Sequence, residues 1–306
     1  MKPGVEPAGG GRPSARRKKG AHRESLSSRT KVDLGAASHR GESRPFNEDS
    51  YLVLNFQRGL HAVLTNLPAG QAPAGYYERG YALFVADGMG GMPHGDVAGR
   101  TAILALVDLM LQTPDWIMRP DWMGTLEVLR RMEERFGRLA DAFKSIVESE
   151  PHLAGMGTTM TLAVSLGADL VIAHVGASRA YIFRRGHLLA LTSDQTVAQL
   201  LAKAGVIQPE EVPGHFARRV LTGSITAAGE NAEVELRHVK LADGDQLLLC
   251  SDGLTEAVAE AKISDVLGKE LPAVHASKAL VALAVAAGGE DDVTAVLARY
   301  HIPADE

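Results

Sequence analysis

The sequence predicts an α+β fold in which strands and helices form separate layers. Strand-like runs follow one another along the chain, and the helical segments come in pairs. The strict alternation of strand and helix that is typical of a parallel sheet is not found. These observations favour antiparallel sheets covered by helices.

Each element rests on a local pattern. Short apolar or β-rich runs bounded by turn signals predict the strands, at residues 49–56, 81–86, 159–166, 170–175, 180–184, 188–192, 234–238, 246–250 and 293–300. Apolar residues at helical spacing predict the helices, at residues 96–111, 126–147, 195–204, 256–267 and 275–287. A Gly/Pro-containing stretch at 68–80 and a repeated Pro-Asp-Trp within 114–122 predict loops, and Asp243-Gly244 predicts a turn.

Composition excludes several classes of protein. The chain has 306 residues, of which 45% are hydrophobic and 23% charged, which is typical of a globular protein with a large core. Its single cysteine, Cys250, excludes an intramolecular disulfide framework and a Cys-rich zinc site. The sequence contains no apolar run long enough to span a membrane and no secretory signal, so we predict a cytoplasmic protein without a membrane span.

Charge divides the chain into two parts. Residues 1–31 contain nine Lys and Arg against two Glu, whereas the remainder is acidic. We predict that residues 1–31 form a disordered basic tail and that residues 32–304 form one domain. The tail is either a solvated segment or a contact for an anionic surface, such as nucleic acid or an acidic partner.

Four carboxylate clusters flank the predicted strands. Glu48-Asp49 precedes one strand, Asp87-Gly88 and Ser251-Asp252-Gly253 each follow one, and Glu290-Asp291-Asp292 precedes the last. Carboxylates that converge at strand ends repel one another unless a cation lies between them. Oxygen ligands of this kind suit Mg²⁺ or Mn²⁺, although each Asp-Gly taken alone is also typical of a turn.

Seven motifs in order make the chain resemble the metal-dependent serine/threonine protein phosphatases of the 2C type, bacterial branch. They cover about residues 33–300, and they are Arg44-Pro-Phe-Asn-Glu-Asp49, Val85-Ala-Asp-Gly-Met-Gly-Gly91, Gly157-Thr-Thr159, Val175-Gly-Ala-Ser-Arg179, Leu191-Thr-Ser-Asp194, Ser251-Asp-Gly-Leu254 and Asp291-Asp-Val-Thr294. The resemblance implies a sandwich of two antiparallel sheets flanked by helix pairs, with a metal site at one end.

The same resemblance implies roles for individual residues. Asp87, Asp252 and Asp291 would ligate two Mn²⁺ or Mg²⁺ ions, with Asp87 bridging them. Gly88 would contribute its carbonyl oxygen, and Glu48 and Asp49 would act mainly through metal-bound water.

The implied reaction is the hydrolysis of phosphoserine or phosphothreonine in proteins by a hydroxide that bridges the two metals. Arg44 would bind the phosphate through its planar fork, so that Arg44, Asp87 and Asp252 form the catalytic set. No covalent phosphoenzyme is needed, and Cys250 is therefore interpreted as a core residue.

Three departures from the family pattern carry expectations. Met89 stands where many relatives have a histidine, so the leaving oxygen would be protonated by water or by another residue, with His94 a candidate. Asp292 replaces an asparagine, and its added charge would either tighten metal binding or face solvent. Ala177 replaces an aspartate, so a third metal site is expected to be absent.

The segment from Thr196 to about Glu235 corresponds to a variable flap in such enzymes. Its residues 215–219 either offer cationic groups to a phosphopeptide or form a solvated loop. The expected partners are phosphorylated proteins in bacterial signal transduction, including a Ser/Thr kinase or its substrates. Two other readings stay open: a catalytically silent binding module on the same fold, and a phosphatase of a small phosphoprotein such as an anti-sigma pathway antagonist.

Overall fold

Two antiparallel five-stranded sheets form the centre of the computed structural model, which describes residues 25–60, 63–64, 76–89, 94–112, 122–228 and 233–304. The first sheet has the order β1-β12-β11-β7-β8, and the second has the order β10-β6-β5-β3-β2. A two-stranded ribbon pairs β4 with β9. The strands are β1 (Lys31–His39), β2 (Asp49–Leu60), β3 (Tyr76–Asp87), β4 (Gly157–Thr158), β5 (Met160–Leu166), β6 (Asp169–Val175), β7 (Arg179–Arg184), β8 (His187–Ala190), β9 (Ile225–Thr226), β10 (Glu235–Lys240), β11 (Gln246–Cys250) and β12 (Val293–His301).

Helices cover the outer faces of both sheets. The α-helices are α1 (Leu26–Arg29), α2 (Gly95–Gln112), α3 (Trp122–Ser149), α4 (Val197–Lys203), α5 (Asp252–Ala257), α6 (Glu260–Leu267) and α7 (Ala273–Ala286). Two short 3₁₀ helices span Pro151–Leu153 and Pro209–Gly214. In the part of the chain that the structure describes, none of the helices has both the length and the hydropathy needed to cross a membrane.

Three apolar layers hold the sandwich together. Phe84 of β3 faces α2 and α3, whereas its neighbour Leu83 faces the other sheet, because successive side chains of a strand point to opposite faces. Leu297 and Val296 of β12 divide in the same way between α7 and the inter-sheet core. Strands buried on both faces read as continuous apolar runs, which is why the sequence located them. The predicted α+β sandwich is confirmed.

Among the described residues, strand β1 is the longest element that the sequence did not predict. Its residues Lys-Val-Asp-Leu-Gly-Ala-Ala-Ser-His have little β-branched or aromatic content. Pairing with β12 supplies what local propensity lacks, since the two strands run in register from Lys31–His301 to His39–Val293. A Cβ at Gly35 would lie 2.2 Å from the backbone of Ala273, so glycine allows α7 to pack directly on this strand.

The prediction of a disordered tail is wrong for residues 25–31. Ser25 caps α1 and its hydroxyl donates to the Tyr77 carbonyl at 2.6 Å. Ser27 and Thr30 are buried, and Lys31 begins β1. The sequence hides this because a single helical turn has no apolar periodicity. Residues 1–24 of the predicted tail lie outside the described residues.

Other boundaries also differ from the predictions. The helix predicted over 256–267 is two helices, because Val258 and Ala259 have extended backbone and Val258 is buried in the core. Residues 76–80 of the predicted loop belong to β3. The repeated Pro-Asp-Trp lies outside the described residues except for Trp122, which begins α3. Asp243-Gly244 forms the predicted turn, in which Gly244 has φ +82°.

Candidate active site

The first half of the site is built by a hairpin pair of strands. Asp49 begins β2 and Asp87 ends β3, and the two residues are directly opposite in the antiparallel register. The Gly88 N–H donates to the Glu48 carbonyl at 3.2 Å, which continues the pairing past the strand ends. Glu48, Asp49, Asp87 and Gly88 therefore meet at one edge of the second sheet, as the sequence predicted for acidic residues at strand ends.

The second half is built by the first sheet. Cys250, the last residue of β11, pairs with Ala295 of β12, so the residues that follow β11 lie beside those that precede β12. Asp252 begins α5 just after β11, and Asp291 lies two residues before β12. The sandwich thus carries Asp252 and Asp291 at the end of the first sheet, opposite Glu48, Asp49 and Asp87 at the end of the second.

Ser251 joins the two halves. Its hydroxyl donates to Asp49 Oδ2 at 2.7 Å and accepts from the Thr294 N–H at 2.9 Å. Ser251 is fully buried, so the contact is shielded from solvent. The contact between Ser251 and Asp49 joins residues 202 positions apart, so the motif that contains Ser251 does not reveal it.

Burial and mutual repulsion raise the pKa values of the carboxylates. The pKa of Asp49 is raised to about 7, first by burial and then by the charges of Asp292 and Asp252, against hydrogen bonds from Ser251 and Thr294. Burial, followed by the charges of Asp252 and Asp49, raises the pKa of Asp87 well above its ordinary value. Burial raises the pKa of Asp252 to about 7, with the charge of Glu256 as the next cause.

These residues fit a divalent cation. Asp49 Oδ1 is buried and has no hydrogen-bond partner, although a buried carboxylate oxygen normally has one. Within the described ranges, however, no group of three or more His, Cys, Asp or Glu side chains is already arranged so that it could hold a metal ion. A metal set drawn from this site would therefore combine carboxylates with the Gly88 carbonyl and water, which suits hard cations that keep part of their hydration.

Gly88 lies in a position that a larger residue could not occupy. A Cβ at Gly88 would lie 2.3 Å from the carbonyl oxygen of Gly95, at the start of α2. A Cβ at Gly95 would in turn lie 2.9 Å from the Glu48 carboxylate. Glycine at both positions lets the start of α2 pack against the carboxylate edge.

The backbone of Asp87 is held by the Gly157-Thr158-Thr159 motif. The Thr159 N–H and the Thr158 hydroxyl each donate to the Asp87 carbonyl at 2.9 Å. The Asp87 N–H donates to Thr159 Oγ1 at 3.3 Å. The motif that supports the family resemblance therefore also fixes the backbone of Asp87.

Arg44 lies between the carboxylates of Asp291 and Glu48. Its Nε donates to Asp291 Oδ1 at 2.9 Å, and its Nη1 lies 3.3 Å from Glu48 Oε2. The residue predicted to bind phosphate is thus beside two of the predicted metal-site residues.

Two further candidates lie near the edge. His94 directly precedes α2, and its exposed ring packs edge-on against His152 with the ring centroids 5.5 Å apart. In the flap, Arg219 forms an ion pair with Glu256 of α5, and Arg218 lies 3.8 Å from the same carboxylate. The cationic groups of the flap therefore reach the helix that carries Asp252, while Phe216 beside them is 89% exposed.

Three other predicted positions are buried. Cys250 lies in the core, and burial raises the pKa of its thiol to about 12, as a core residue requires. Ala177 is buried in the turn between β6 and β7, where its methyl group offers no ligand. Asp292 is 3% exposed and accepts the backbone N–H of Gly41 and of Glu48, so the expectation that it faces solvent is wrong, whereas the alternative that its charge tightens metal binding stays a prediction.

Comparison with known proteins agrees with this geometry. The model of the protein phosphatase 2C family matches residues 74–286. The serine/threonine protein phosphatase PstP of Mycobacterium tuberculosis is 36% identical over 217 residues, which cover 71% of this chain and 40% of that protein. The serine/threonine phosphatase stp of Listeria welshimeri is 33% identical over 223 residues, covering 72% of this chain and 84% of that protein.

Solved structures extend the likeness to the fold. The catalytic domain of PstP in complex with two manganese ions is 31% identical, with a TM-score of 0.67 over 89% of this chain and 99% of that one. The S. agalactiae serine/threonine phosphatase is 27% identical, with a TM-score of 0.70 over 89% and 100%. The chain therefore belongs to the protein phosphatase 2C family.

Proposed function

We propose that the chain is a metal-dependent phosphatase that hydrolyses phosphoserine and phosphothreonine in proteins. One observation carries the proposal: the ends of two different sheets bring Asp49, Asp87 and Asp252 together, and Asp49 Oδ1 is buried there without a partner. A fold gains no stability from unneutralised carboxylates at this position, so their presence is explained by a ligand that neutralises them.

Asp87, Asp252, Asp291 and the Gly88 carbonyl would hold the ions directly. Glu48 and Asp49 would orient water around them. The chemistry that divalent ions supply when bound is the polarisation of water and of the phosphoryl oxygens. Mn²⁺ or Mg²⁺ fits this oxygen-rich set, and the manganese in the PstP structure supports the choice of Mn²⁺. We further propose that the site holds two ions without a third, since the side chain of Ala177 has no oxygen with which to ligate one.

The chain's own residues bind and orient the substrate. The Arg44 guanidinium presents parallel N–H donors that match two phosphoryl oxygens. In the structure these donors contact Asp291 and Glu48, so a phosphate would share Arg44 with two carboxylates. Met89 has no proton to give to the leaving oxygen, which would take its proton from solvent.

The remaining expectations concern setting and partners. A cytoplasmic location agrees with the single, buried Cys250. Phosphorylated proteins would be the substrates, with a Ser/Thr kinase or its targets as the expected partners. The basic segment before residue 25 would contact anionic surfaces.

The test is hydrolysis of a phosphothreonine peptide with Mn²⁺, with and without excess chelator. We expect turnover that chelation abolishes and that Asp252→Asn lowers by at least two orders of magnitude. The matched control is Asp141→Asn, which removes one carboxylate from the exposed face of α3. Turnover that survives exhaustive chelation, or an Asp252→Asn variant as active as the control, would overturn the proposal.

A further inference from the structure

Asp292 connects two segments that are far apart in sequence. Its side chain is 3% exposed. Oδ1 accepts the Gly41 N–H at 2.9 Å, and Oδ2 accepts the Glu48 N–H at 2.7 Å. The two donors are the two ends of the segment 41–48, so one carboxylate holds both ends of the loop that carries Arg44.

In this chain a carboxylate, standing where the family pattern has an asparagine, satisfies both N–H groups. Both of its oxygens accept hydrogen bonds, whereas an amide has one accepting oxygen and an NH₂ group that donates. An asparagine at 292 would satisfy one backbone N–H and direct its own N–H groups at the other. A buried donor left without a partner is costly, so the substitution would loosen one end of the loop.

Further contacts fix the same loop against residues 290–292. The Ser43 N–H donates to the Glu290 carbonyl at 3.4 Å, and the Ser43 hydroxyl donates to the same oxygen. A Cβ at Gly41 would lie 2.4 Å from the backbone of Asp291, so the loop lies flat on this segment. Arg44 between the two ends then contacts Asp291.

We propose that Asp292 is a positioning residue for the phosphatase reaction: its two oxygens hold the 41–48 loop so that Arg44 and Glu48 keep their places beside Asp291. The inference rests on the proposed function for its kinetic consequence, but not for its geometry. It assigns to Asp292 a backbone-holding role that differs from ligating a metal and from facing solvent.

The experiment compares the full chain with Asp292→Asn and with Asp141→Asn. The control makes the same substitution at an exposed side chain of α3. Three quantities are measured: KM and kcat for a phosphothreonine peptide and the Kd for inorganic phosphate, both in saturating Mn²⁺, and the hydrogen-exchange rates of the Gly41 and Glu48 amides by NMR, in saturating diamagnetic Mg²⁺.

We expect Asp292→Asn to raise KM and the phosphate Kd at least fivefold, with kcat changed less than threefold. One of the two amides should exchange at least tenfold faster. Asp141→Asn should match the wild type in all three. This split distinguishes positioning from a general loss of structure, which would lower the active fraction and kcat while leaving KM unchanged.

The wild type provides a test that needs no variant. Its Gly41 and Glu48 amides should exchange at least tenfold more slowly than that of exposed Glu42, and similar rates would overturn the proposal even if Asp292→Asn does not fold. Unchanged KM, phosphate Kd and exchange in Asp292→Asn would also overturn it. A wild type that does not hydrolyse the peptide would refute the proposed function. Slow exchange of the two amides, together with weaker phosphate binding by Asp292→Asn, would still support the positioning role of Asp292.

Discussion

Replacing Asp49 by asparagine should stabilise the metal-free protein while it impairs metal binding. The folded-state pKa of Asp49 is raised to about 7 from an ordinary value of 3.8, first by burial. The fold therefore favours the protonated form. The stability that protonated Asp49 contributes to the fold is complete at acid pH. It is lost as the pH rises from about 4 through about 7, because the unfolded chain releases the proton first.

The size of the effect follows from the pKa displacement. About three pH units correspond to about 4 kcal/mol of destabilisation above pH 7. The Asn amide would place its NH₂ group where Asp49 Oδ1 now has no partner, and an unsatisfied buried donor costs about 1–3 kcal/mol. We therefore expect Asp49→Asn to be about 2 kcal/mol more stable than the wild type near pH 8, and about 1 kcal/mol less stable near pH 4.5.

Urea unfolding in excess chelator across this pH range measures the difference. The exposed Asp141→Asn variant is the control and should show no pH-dependent gain. With Mn²⁺ present the order should reverse, because the wild type is stabilised by ligand binding that the variant has weakened. A variant that is less stable than wild type in chelator at pH 8, or a gain that is the same at all pH values, would refute the reasoning.

Other perturbations have defined outcomes. Arg44→Ala should lower kcat/KM for a phosphopeptide about 10–200-fold, since a charge-assisted contact contributes roughly 1.5–3 kcal/mol; an unchanged value would remove Arg44 from the site. Ala177→Asp should add a third ion, measured by anomalous diffraction at the manganese edge, and three occupied sites in the wild type would contradict this. Deleting residues 1–24 should leave the melting temperature unchanged, whereas deleting 1–30 should lower it by several degrees, because Ser25 bonds to Tyr77 of β3 and because Ser27 and Thr30 are buried. Mild alkylation of the native enzyme should leave activity intact because the Cys250 thiol is buried, and rapid inactivation would argue against a core role.

The sequence predicted those elements whose burial on both faces requires a continuous run of apolar residues. The runs ending at Asp87 and Cys250 are apolar on both faces, and their C-terminal ends were located to within a residue. Strand β1 could not be found in this way, because its place depends on pairing with β12 at the other end of the chain. The break between α5 and α6 likewise depends on burial of Val258, not on a local breaker.

The candidate site divides along the same line. Residue type and position at strand ends selected the four carboxylate clusters, and the family resemblance then implied Asp87, Asp252 and Asp291 as the metal ligands. Their convergence depends on Ser251, whose contact with Asp49 spans the two sheets. The burial of Asp292 could not be predicted, because its partners are backbone N–H groups about 250 residues away and a sequence pattern does not reveal such donors.

Asp291 must serve two neighbours at once if the site works as proposed, and its hydrogen bonds make this feasible. Arg44 Nε and the Asp292 N–H each donate to Oδ1 at 2.9 Å, and Arg44 Nη2 lies 2.8 Å from the same oxygen. Because these donors all approach Oδ1, Oδ2 remains available to a cation. Asp291 could therefore ligate an ion through one oxygen while the other holds Arg44. A phosphate bound to Arg44 would then lie next to that ion, which is the arrangement that phosphoryl transfer requires.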